Sequence, residues 1–362
     1  MKKILLPIGI GLIAFASCKT EAKKEQHFLT LSNIDSTVKP GDNFYLFVNG
    51  KWIKNTEIPA SESRIGAFLD VYNKSKDNLK AIFDDLAKSS PAAGSIEQKV
   101  ADFYASGMDT VAIDKLGYEP IKPYLKKIDD IKDIKGIMQF TAEAQTEQNP
   151  TLFNMQIGAD EKNSAMNIPS LYQGGLGLPD RDYYFKTDAA SLDVIKAYQT
   201  FVKKMFTLTG TDEATATKNV DIVYNFEKML AGAQSTNIEM RDPQTNYHKM
   251  SVADLDKKMP NIGWSSLLGA MKIKCDSLNI GQPKHFENIN ALLASTPIDT
   301  WKLYLKASIL ADVANALSKD FVNARFDYAG KALSGTKELK PRWERMIQAT
   351  DGNLSEALGQ LY

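Results

Sequence analysis

Cysteine and histidine are scarce in this chain, and their scarcity excludes several kinds of site. The 362 residues contain two cysteines, Cys18 and Cys275, and three histidines, His27, His248 and His285. Two cysteines cannot build the disulfide framework of a small secreted domain. No histidine has a second metal ligand at a suitable spacing, and the H-E-x-x-H and G-x-S-x-G motifs are absent. The residues alone therefore support no catalytic centre and no metal site.

An excess of charge of either sign is also missing. Lys plus Arg number 44, Asp plus Glu number 44, and the isoelectric point is about 6.8. Binding to nucleic acid depends on a basic surface that releases counterions from phosphates, so we predict no nucleic-acid partner. A hydrophobic content of 43% is ordinary for a folded protein, and the length fits two domains.

No hydrophobic run is long enough to span a membrane, and this decides the interpretation of the N-terminus. In MKKILLPIGIGLIAFASC two lysines precede an apolar run from Ile4 to Ala16, whereas a spanning helix needs roughly 20 apolar residues. We interpret residues 1–18 as a secretory signal peptide that ends in a lipobox, with Cys18 as the lipidated residue. An ordinary cleaved signal with an incidental cysteine is the alternative. Residues 19–39 then form a flexible tether, and a lipid anchor holds the exported protein in a bacterial cell envelope, at the periplasm or outer membrane.

Helical periodicity dominates the rest of the chain. The segment from Asp212 to Leu230 is typical, with a predicted inner face made of Val220, Val223, Phe226, Met229 and Leu230. Alternating apolar residues between positions 151 and 168 predict a β-hairpin. The predicted fold class is mainly α, a multi-helical domain with a small β-hairpin.

The stretch QGGLGLPDRDYYF, from Gln173 to Phe185, breaks this helical pattern. Its three glycines and its proline predict a closely specified loop that joins the hairpin to the next helix. Asp180 and Asp182 are interpreted as caps or ion-pair partners rather than calcium ligands.

Five segments together resemble the N-terminal half of the neprilysin-like zinc metalloendopeptidases. They follow the family's order over about residues 40–362, and they are DNFYLFVNGKWIKNTEIPA, SRIGAFLDVYNKS, YQGGLGLPDRDYYF, RDPQTNYHKMS and RWERMIQATDGNLSEALGQLY. The resemblance implies a helical lid that faces a thermolysin-like catalytic domain around a chamber in which peptides are hydrolysed. It assigns residues 40–72 to the N-terminal segment of the catalytic domain. Residues 73–362 become the helical lid domain and the start of the return to the catalytic domain.

The resemblance carries one site residue into this sequence. Arg64, in SRIGAF, matches an arginine that contacts the peptide substrate, including its free C-terminal carboxylate. A guanidinium suits this role because it can grip a carboxylate through two parallel hydrogen bonds. A structural salt bridge is the alternative role. Tyr72 stands where the mammalian relatives have a second arginine, which puts a preference for dipeptidyl C-termini in doubt.

The family's zinc ligands have no match in these 362 residues. Zinc is therefore expected in the full-length family enzyme but not in this chain, which we expect to be inactive without the missing C-terminal catalytic half. The chain would be a fragment of a longer gene product, or the product of a frameshift or early stop. Two other interpretations stay open: a helical lipoprotein that binds peptides or nutrients without cutting them, and a structural, degenerate copy.

Overall fold

The computed structural model describes residues 30–362, which divide into two compact units, one ending at Ile58 and the other comprising Pro59–Tyr362. The predicted signal peptide, with Cys18, and residues 19–29 of the predicted tether lie outside the described residues. Across residues 30–362, no helix combines the length and the apolar character needed to cross a membrane. The predicted boundary at residue 72, between the catalytic and lid segments, stays a prediction.

Helices form most of the described chain, as predicted. The α-helices are α1 (Phe44–Asn55), α2 (Ala67–Leu86), α3 (Ile96–Met108), α4 (Thr110–Leu116), α5 (Lys122–Asp129), α6 (Ile134–Thr146), α7 (Ala189–Leu208), α8 (Glu213–Gly232), α9 (Val252–Lys258), α10 (Trp264–Ala270), α11 (Pro283–Ser295), α12 (Ile298–Val313), α13 (Lys319–Arg325) and α14 (Arg342–Leu361). A π-helix, Phe326–Leu333, continues directly from α13.

The smaller unit is built around α1. The side chain of Asn43 caps this helix by accepting a hydrogen bond from the Leu46 amide at 2.9 Å. Asp35 packs against the backbone of Gly50 and pairs with Lys54 Nζ at 2.6 Å. These contacts tie the turns that precede α1 to the helix itself.

In the larger unit, short polar side chains begin the long helices. Asp188 accepts from the amide of Ser191 at the start of α7, and Asp212 accepts from the amide of Thr215 at the start of α8, each at 3.0 Å. Such caps satisfy amides that have no partner within the helix. Both helices therefore begin at positions that the sequence marks clearly.

The inner face of α8 is largely as predicted, with one error. Val220, Val223, Phe226 and Leu230 are buried, but Met229 is 45% exposed. Successive helical residues are 100° apart around the axis, so Met229 falls outside the arc that the other four share. Met229 is placed on the predicted inner face because it is apolar, although its angle around the helix axis points it elsewhere.

The predicted β-hairpin exists and belongs to a small mixed sheet. Its strands are β1 (Phe153–Asp160) and β2 (Asn163–Gln173), paired antiparallel with Phe153 opposite Gln173. Two short strands complete the order β1-β2-β4-β3, namely β3 (Lys249–Ser251) and β4 (Ser277–Ile280). The parallel pairing of β2 with β4 joins segments more than a hundred residues apart, which local sequence pattern could not indicate.

The core of the larger unit lies among α7, α8 and α12. Phe226 packs edge-on against Trp301 with ring centres 4.6 Å apart, and Tyr304 lies 4.8 Å from the same phenylalanine ring. A separate cluster of Phe83, Val100, Ile347 and Leu358 joins α2 and α3 to α14. The glycine-rich stretch after β2 lies beside the first of these cores.

Candidate functional site

Tyrosine side chains hold the glycine-rich loop that follows β2. Tyr328 Oη donates to the carbonyl oxygen of Gly177 at 2.7 Å. Tyr304 Oη lies 2.9 Å from the carbonyl oxygen of Gly175 and closer still to that of Thr151, so its one proton is shared between these two acceptors. Buried peptide groups need such partners. The loop is therefore fixed by side chains from helices distant in sequence.

Two glycines of this loop are required by close approach. Gly175 has a φ of +82°, and a Cβ atom there would come within 2.6 Å of Tyr304 Oη. A Cβ atom on Gly177 would overlap the phenol ring of Tyr198. Only glycine fits both positions, which explains why the sequence specifies this loop so closely.

The local roles predicted for the acidic residues of the loop are found in the structure. Asp180 accepts a hydrogen bond from the amide of Asp182 at 2.8 Å, at the start of a short 3-10 helix, Arg181–Tyr184. The guanidinium of Arg181 pairs with Asp182 at 3.0 Å. Asp180 is therefore a helix cap, and Asp182 is an ion-pair partner.

A buried carboxyl group, Glu227 on α8, lies beneath the loop. It accepts hydrogen bonds from Tyr198 Oη at 2.6 Å and from Tyr184 Oη at 2.9 Å. Burial raises the pKa of Glu227 to about 7, although both tyrosine hydrogen bonds oppose the rise. A carboxyl group that titrates near neutrality beside a cavity marks a candidate functional position.

Glu227 is not among the site residues predicted from the sequence, although its position along α8 contains a signal. Glu227 follows Val223 by four residues and precedes Leu230 by three, so it shares the buried face of α8. An acidic residue inside a predicted apolar face is the observation that could have identified it.

A polar cavity of about 410 Å³ opens beside the loop. Residues 173–180 line one side of it, and Glu227 and Tyr198 line another. Thr151 also lines it, and the Oγ1 atom of this buried residue has no hydrogen-bond partner in the described chain. Asp312 and Arg325 lie at its boundary.

A second cavity of about 860 Å³ adjoins the first, because Asp312 and Arg325 line both. The π-helix Phe326–Leu333 supplies part of its wall, and π-helical turns are rare elements found frequently at functional sites. Arg342 and Arg345 of α14 also line it, so three arginines surround one cavity. The sequence analysis did not identify any of the three.

Arg64, the predicted substrate-binding residue, lies in the segment before α2 with its side chain exposed. Between residues 30 and 362 it has no salt-bridge partner, so the alternative role as a structural salt bridge finds no support there. It lines neither cavity. Its contact with a substrate stays a prediction.

Tyr72 has basic neighbours, but their charges are already paired. Lys76 Nζ lies 6.0 Å and Lys340 Nζ 5.8 Å from the centre of the Tyr72 ring. Both lysines form salt bridges with the buried Glu344, at 3.2 and 3.0 Å. Within residues 30–362, neither of these two lysines therefore offers a free charge in place of the second arginine.

The two histidines in the described chain each bind a backbone carbonyl. His248 Nδ1 lies 3.1 Å from the oxygen of Ile280, and His285 Nε2 lies 3.0 Å from the oxygen of Leu152. Burial lowers the pKa of His285 to about 4. His285 is buried in the core, whereas His248 is exposed, and His27 lies outside the described residues.

Comparison with known proteins identifies the family to which this chain belongs. The model of peptidase family M13 that covers the N-terminal part of its members matches residues 40–362. The chain belongs to peptidase family M13. This confirms the predicted relation to the neprilysin-like zinc endopeptidases.

Relatives of known function agree with this assignment. Endothelin-converting enzyme 1 of Rattus norvegicus is 26% identical over 364 residues, which cover 95% of this chain and 46% of that protein. Membrane metallo-endopeptidase-like 1 of Mus musculus is 26% identical over 362 residues, covering 92% of this chain and 46% of that protein. The chain spans about half the length of the curated relatives it matches.

Solved structures share the fold. The zinc metalloprotease Zmp1 of Mycobacterium tuberculosis, in complex with an inhibitor, gives a TM-score of 0.86 at 27% identity, covering 92% of this chain and 51% of that one. PepO of Lactobacillus rhamnosis gives a TM-score of 0.78 at 19% identity, covering 90% of this chain and 51% of that one. The second comparison supports the fold alone.

The described residues do not fit a catalytic zinc ion. In residues 30–362, no group of three or more His, Cys, Asp or Glu side chains is arranged to hold a metal. The two histidines there each place a ring nitrogen against a carbonyl oxygen, and a protein zinc site needs at least three suitably placed ligands. No step of a zinc-dependent reaction can be assigned to these residues.

Proposed function

We propose that this chain forms the substrate-enclosing part of an exported zinc metallopeptidase of family M13. The observation that supports this best is its structural similarity to Zmp1, with a TM-score of 0.86 over 92% of the chain. In this proposal residues 40–72 belong with the catalytic domain. Residues 73–362 form the helical lid and the start of the return, and the substrates are peptides that fit an enclosed chamber.

Arg64 is the residue to which the proposal assigns substrate contact. Its exposed guanidinium, unpaired among residues 30–362, can form two parallel hydrogen bonds with a peptide carboxylate. Tyr72 cannot bind a carboxylate in the same way. The proposal therefore includes no preference for substrates in which two residues follow the cleaved bond.

The proposal assigns zinc to ligands other than the described residues. When bound, zinc would lower the pKa of a water molecule and polarise the scissile carbonyl. The protein by itself is then expected to hold no catalytic zinc and to leave peptides intact. A C-terminal catalytic half, which carries the family's ligands, would be its partner.

Export and lipid anchoring are part of the proposal because of the N-terminal sequence MKKILLPIGIGLIAFASC. The short apolar run after two lysines suits a signal peptide, and Cys18 behind small residues suits lipid attachment. A single acyl chain binds a membrane only weakly, so stable anchoring needs more than one chain.

A chimaera tests the enclosing role directly. Residues 40–362 would replace the matching N-terminal half of Zmp1, and hydrolysis of an internally quenched peptide would be followed with and without zinc. We expect zinc-dependent hydrolysis by the chimaera and none by the isolated protein. A matched chimaera with the motif glutamate of H-E-x-x-H changed to glutamine should be inactive.

Two outcomes would count against the proposal. A chimaera that folds and binds zinc but does not hydrolyse the peptide would favour the binding-lipoprotein alternative. Zinc-dependent hydrolysis by the isolated protein would contradict the assignment of the metal ligands to other residues.

A further inference from the structure

The larger cavity is mainly apolar and carries an unbalanced group of arginines. Its volume of about 860 Å³ falls within the usual range for small-ligand sites. Apolar side chains from α3, α4, the π-helix and α14 line it, including Phe103, Ile113, Phe326 and Met346. The arginines therefore face a largely hydrophobic space.

Arg342 and Arg345 are held in place by their Nε atoms. Arg342 Nε donates to the carbonyl oxygen of Gly107 at 2.7 Å, and Arg345 Nε donates to that of Lys340 at 3.1 Å. Neither guanidinium has a salt bridge with any acidic side chain of residues 30–362, and their terminal nitrogens donate to none of the described residues. Both planar groups are thus oriented, and neither is salt-bridged within the described residues.

The two guanidinium groups also repel each other. They lie three residues apart on α14, one turn of the helix, so they share a face. Burial lowers the pKa of Arg345, and the charge of Arg342 lowers it further. Partly buried like charges without a counter-ion are unfavourable, and an anion between them would relieve the repulsion.

Nearby acidic groups do not bridge the two arginines. The charge of Asp114 on α4 raises the pKa of Arg342, but Asp114 forms no salt bridge with it in residues 30–362 and accepts from the amide of Lys319 at 2.8 Å. Glu344 is already bound to Lys76 and Lys340. Asp312 lies near Arg325. Burial raises the pKa of Asp312, and the charge of Arg325 lowers it by a smaller amount. The remaining acid on the wall, Glu338, is exposed and forms no salt bridge in the described chain.

We propose that this cavity binds an apolar carboxylate, whose carboxylate group bridges Arg342 and Arg345 while its hydrocarbon part lies against Phe103, Phe326 and Met346. A carboxylate accepts two parallel hydrogen bonds from a guanidinium, which suits groups whose Nε atoms are already engaged. The ligand can be a free carboxylic acid or the C-terminal residue of a peptide. Binding requires neither zinc nor hydrolysis, so it is independent of the proposed function.

Calorimetric titration of the protein with N-acetyl-phenylalanyl-leucine and with its C-terminal amide tests the carboxylate requirement. We expect the acid to bind at least about tenfold more tightly than the amide, since charge-assisted hydrogen bonds contribute roughly 1.5–3 kcal/mol. Phenylpropionate, a free carboxylic acid without a peptide bond, is the third ligand titrated. Equal affinity for acid and amide would overturn the proposal, and this comparison needs no variant.

Variants locate the site. The double variant R342Q/R345Q should lose the preference for the acid, whereas R241Q, at an exposed arginine that ends the 3-10 helix Glu239–Arg241, should keep it. Loss of the preference in R64Q, together with its retention in R342Q/R345Q, would place carboxylate binding at Arg64 and overturn the inference. If phenylpropionate binds, the site accepts free carboxylic acids. If the peptide acid binds tightly but phenylpropionate does not bind, the site is specific for peptide C-termini.

Discussion

The hydroxyl oxygen of Tyr198 lies 2.6 Å from the carboxylate oxygen Oε1 of Glu227, inside the core of the larger unit. Tyr184 donates to the other carboxylate oxygen at 2.9 Å and accepts from the amide of Leu178 at 3.2 Å. Glu227 is therefore the point at which two helices and the glycine-rich loop are connected by hydrogen bonds.

Stability should depend on pH through Glu227. Its pKa is about 7 in the fold and near 4.5 ordinarily, so between these values the folded state holds a proton that the unfolded chain releases. The contribution of Glu227 to stability should fall as the pH rises through this window, by about 3 kcal/mol in total, and then level off. His285, whose pKa burial lowers to about 4, contributes stability that rises with pH over a similar window, so the effect of Glu227 is read from a variant rather than from the wild type alone. Urea unfolding at a series of pH values measures this.

The variant E227Q cannot titrate at this position, so its stability relative to the wild type should rise by about 3 kcal/mol between pH 4.5 and 7. E356Q, at an exposed glutamate of α14, serves as the matched control and should retain the slope of the wild type. A stability difference between the wild type and E227Q that stays constant between about pH 5 and 7 would contradict the assignment to Glu227.

Gly177 should not tolerate a side chain. In G177A the new methyl group would overlap the Tyr198 ring and force it away from Glu227. Overpacking of this kind costs about 1–3 kcal/mol, which the midpoint of urea unfolding would report. G269A is the control, because its Cβ has open space on an exposed helical face and should have little effect. Equal stability of both variants would show that the loop can move aside.

Arg64 should contribute to peptide binding. In the Zmp1 chimaera, where the chamber is complete, R64Q should lose up to about tenfold in affinity for a peptide with a free C-terminus, because an exposed guanidinium gains less from each hydrogen bond than a buried one. Fluorescence anisotropy with a labelled peptide gives the affinity. R64K keeps the charge but loses the paired geometry, so an intermediate affinity is expected. Unchanged affinity in R64Q would remove Arg64 from the site.

Cys18 should determine membrane attachment. Expression of C18S in a bacterial host should shift the protein from the membrane fraction to the soluble fraction and abolish incorporation of a labelled fatty acid. Cys275 provides the matched control, since C275S leaves the lipobox intact and should behave as the wild type. Fatty-acid labelling that persists in C18S would refute the lipoprotein interpretation.

The sequence by itself determined the mainly helical fold, the β-hairpin and the family. Helical periodicity, turn residues and capping side chains act over a few neighbouring positions, so they can be read directly along the chain. The same local patterns identified the glycine-rich stretch as a loop of defined shape.

Only the tertiary structure decided what surrounds that loop and which charges meet. Tyr328 reaches Gly177 from 151 positions away, and Arg342 reaches the carbonyl of Gly107 from 235 positions away. The raised pKa of Glu227 and the lack of a salt bridge at Arg345 both depend on burial and on partners from distant segments. Those distances arise only when helices pack together, because the energy of a charge depends on its surroundings in space and not on its neighbours in sequence.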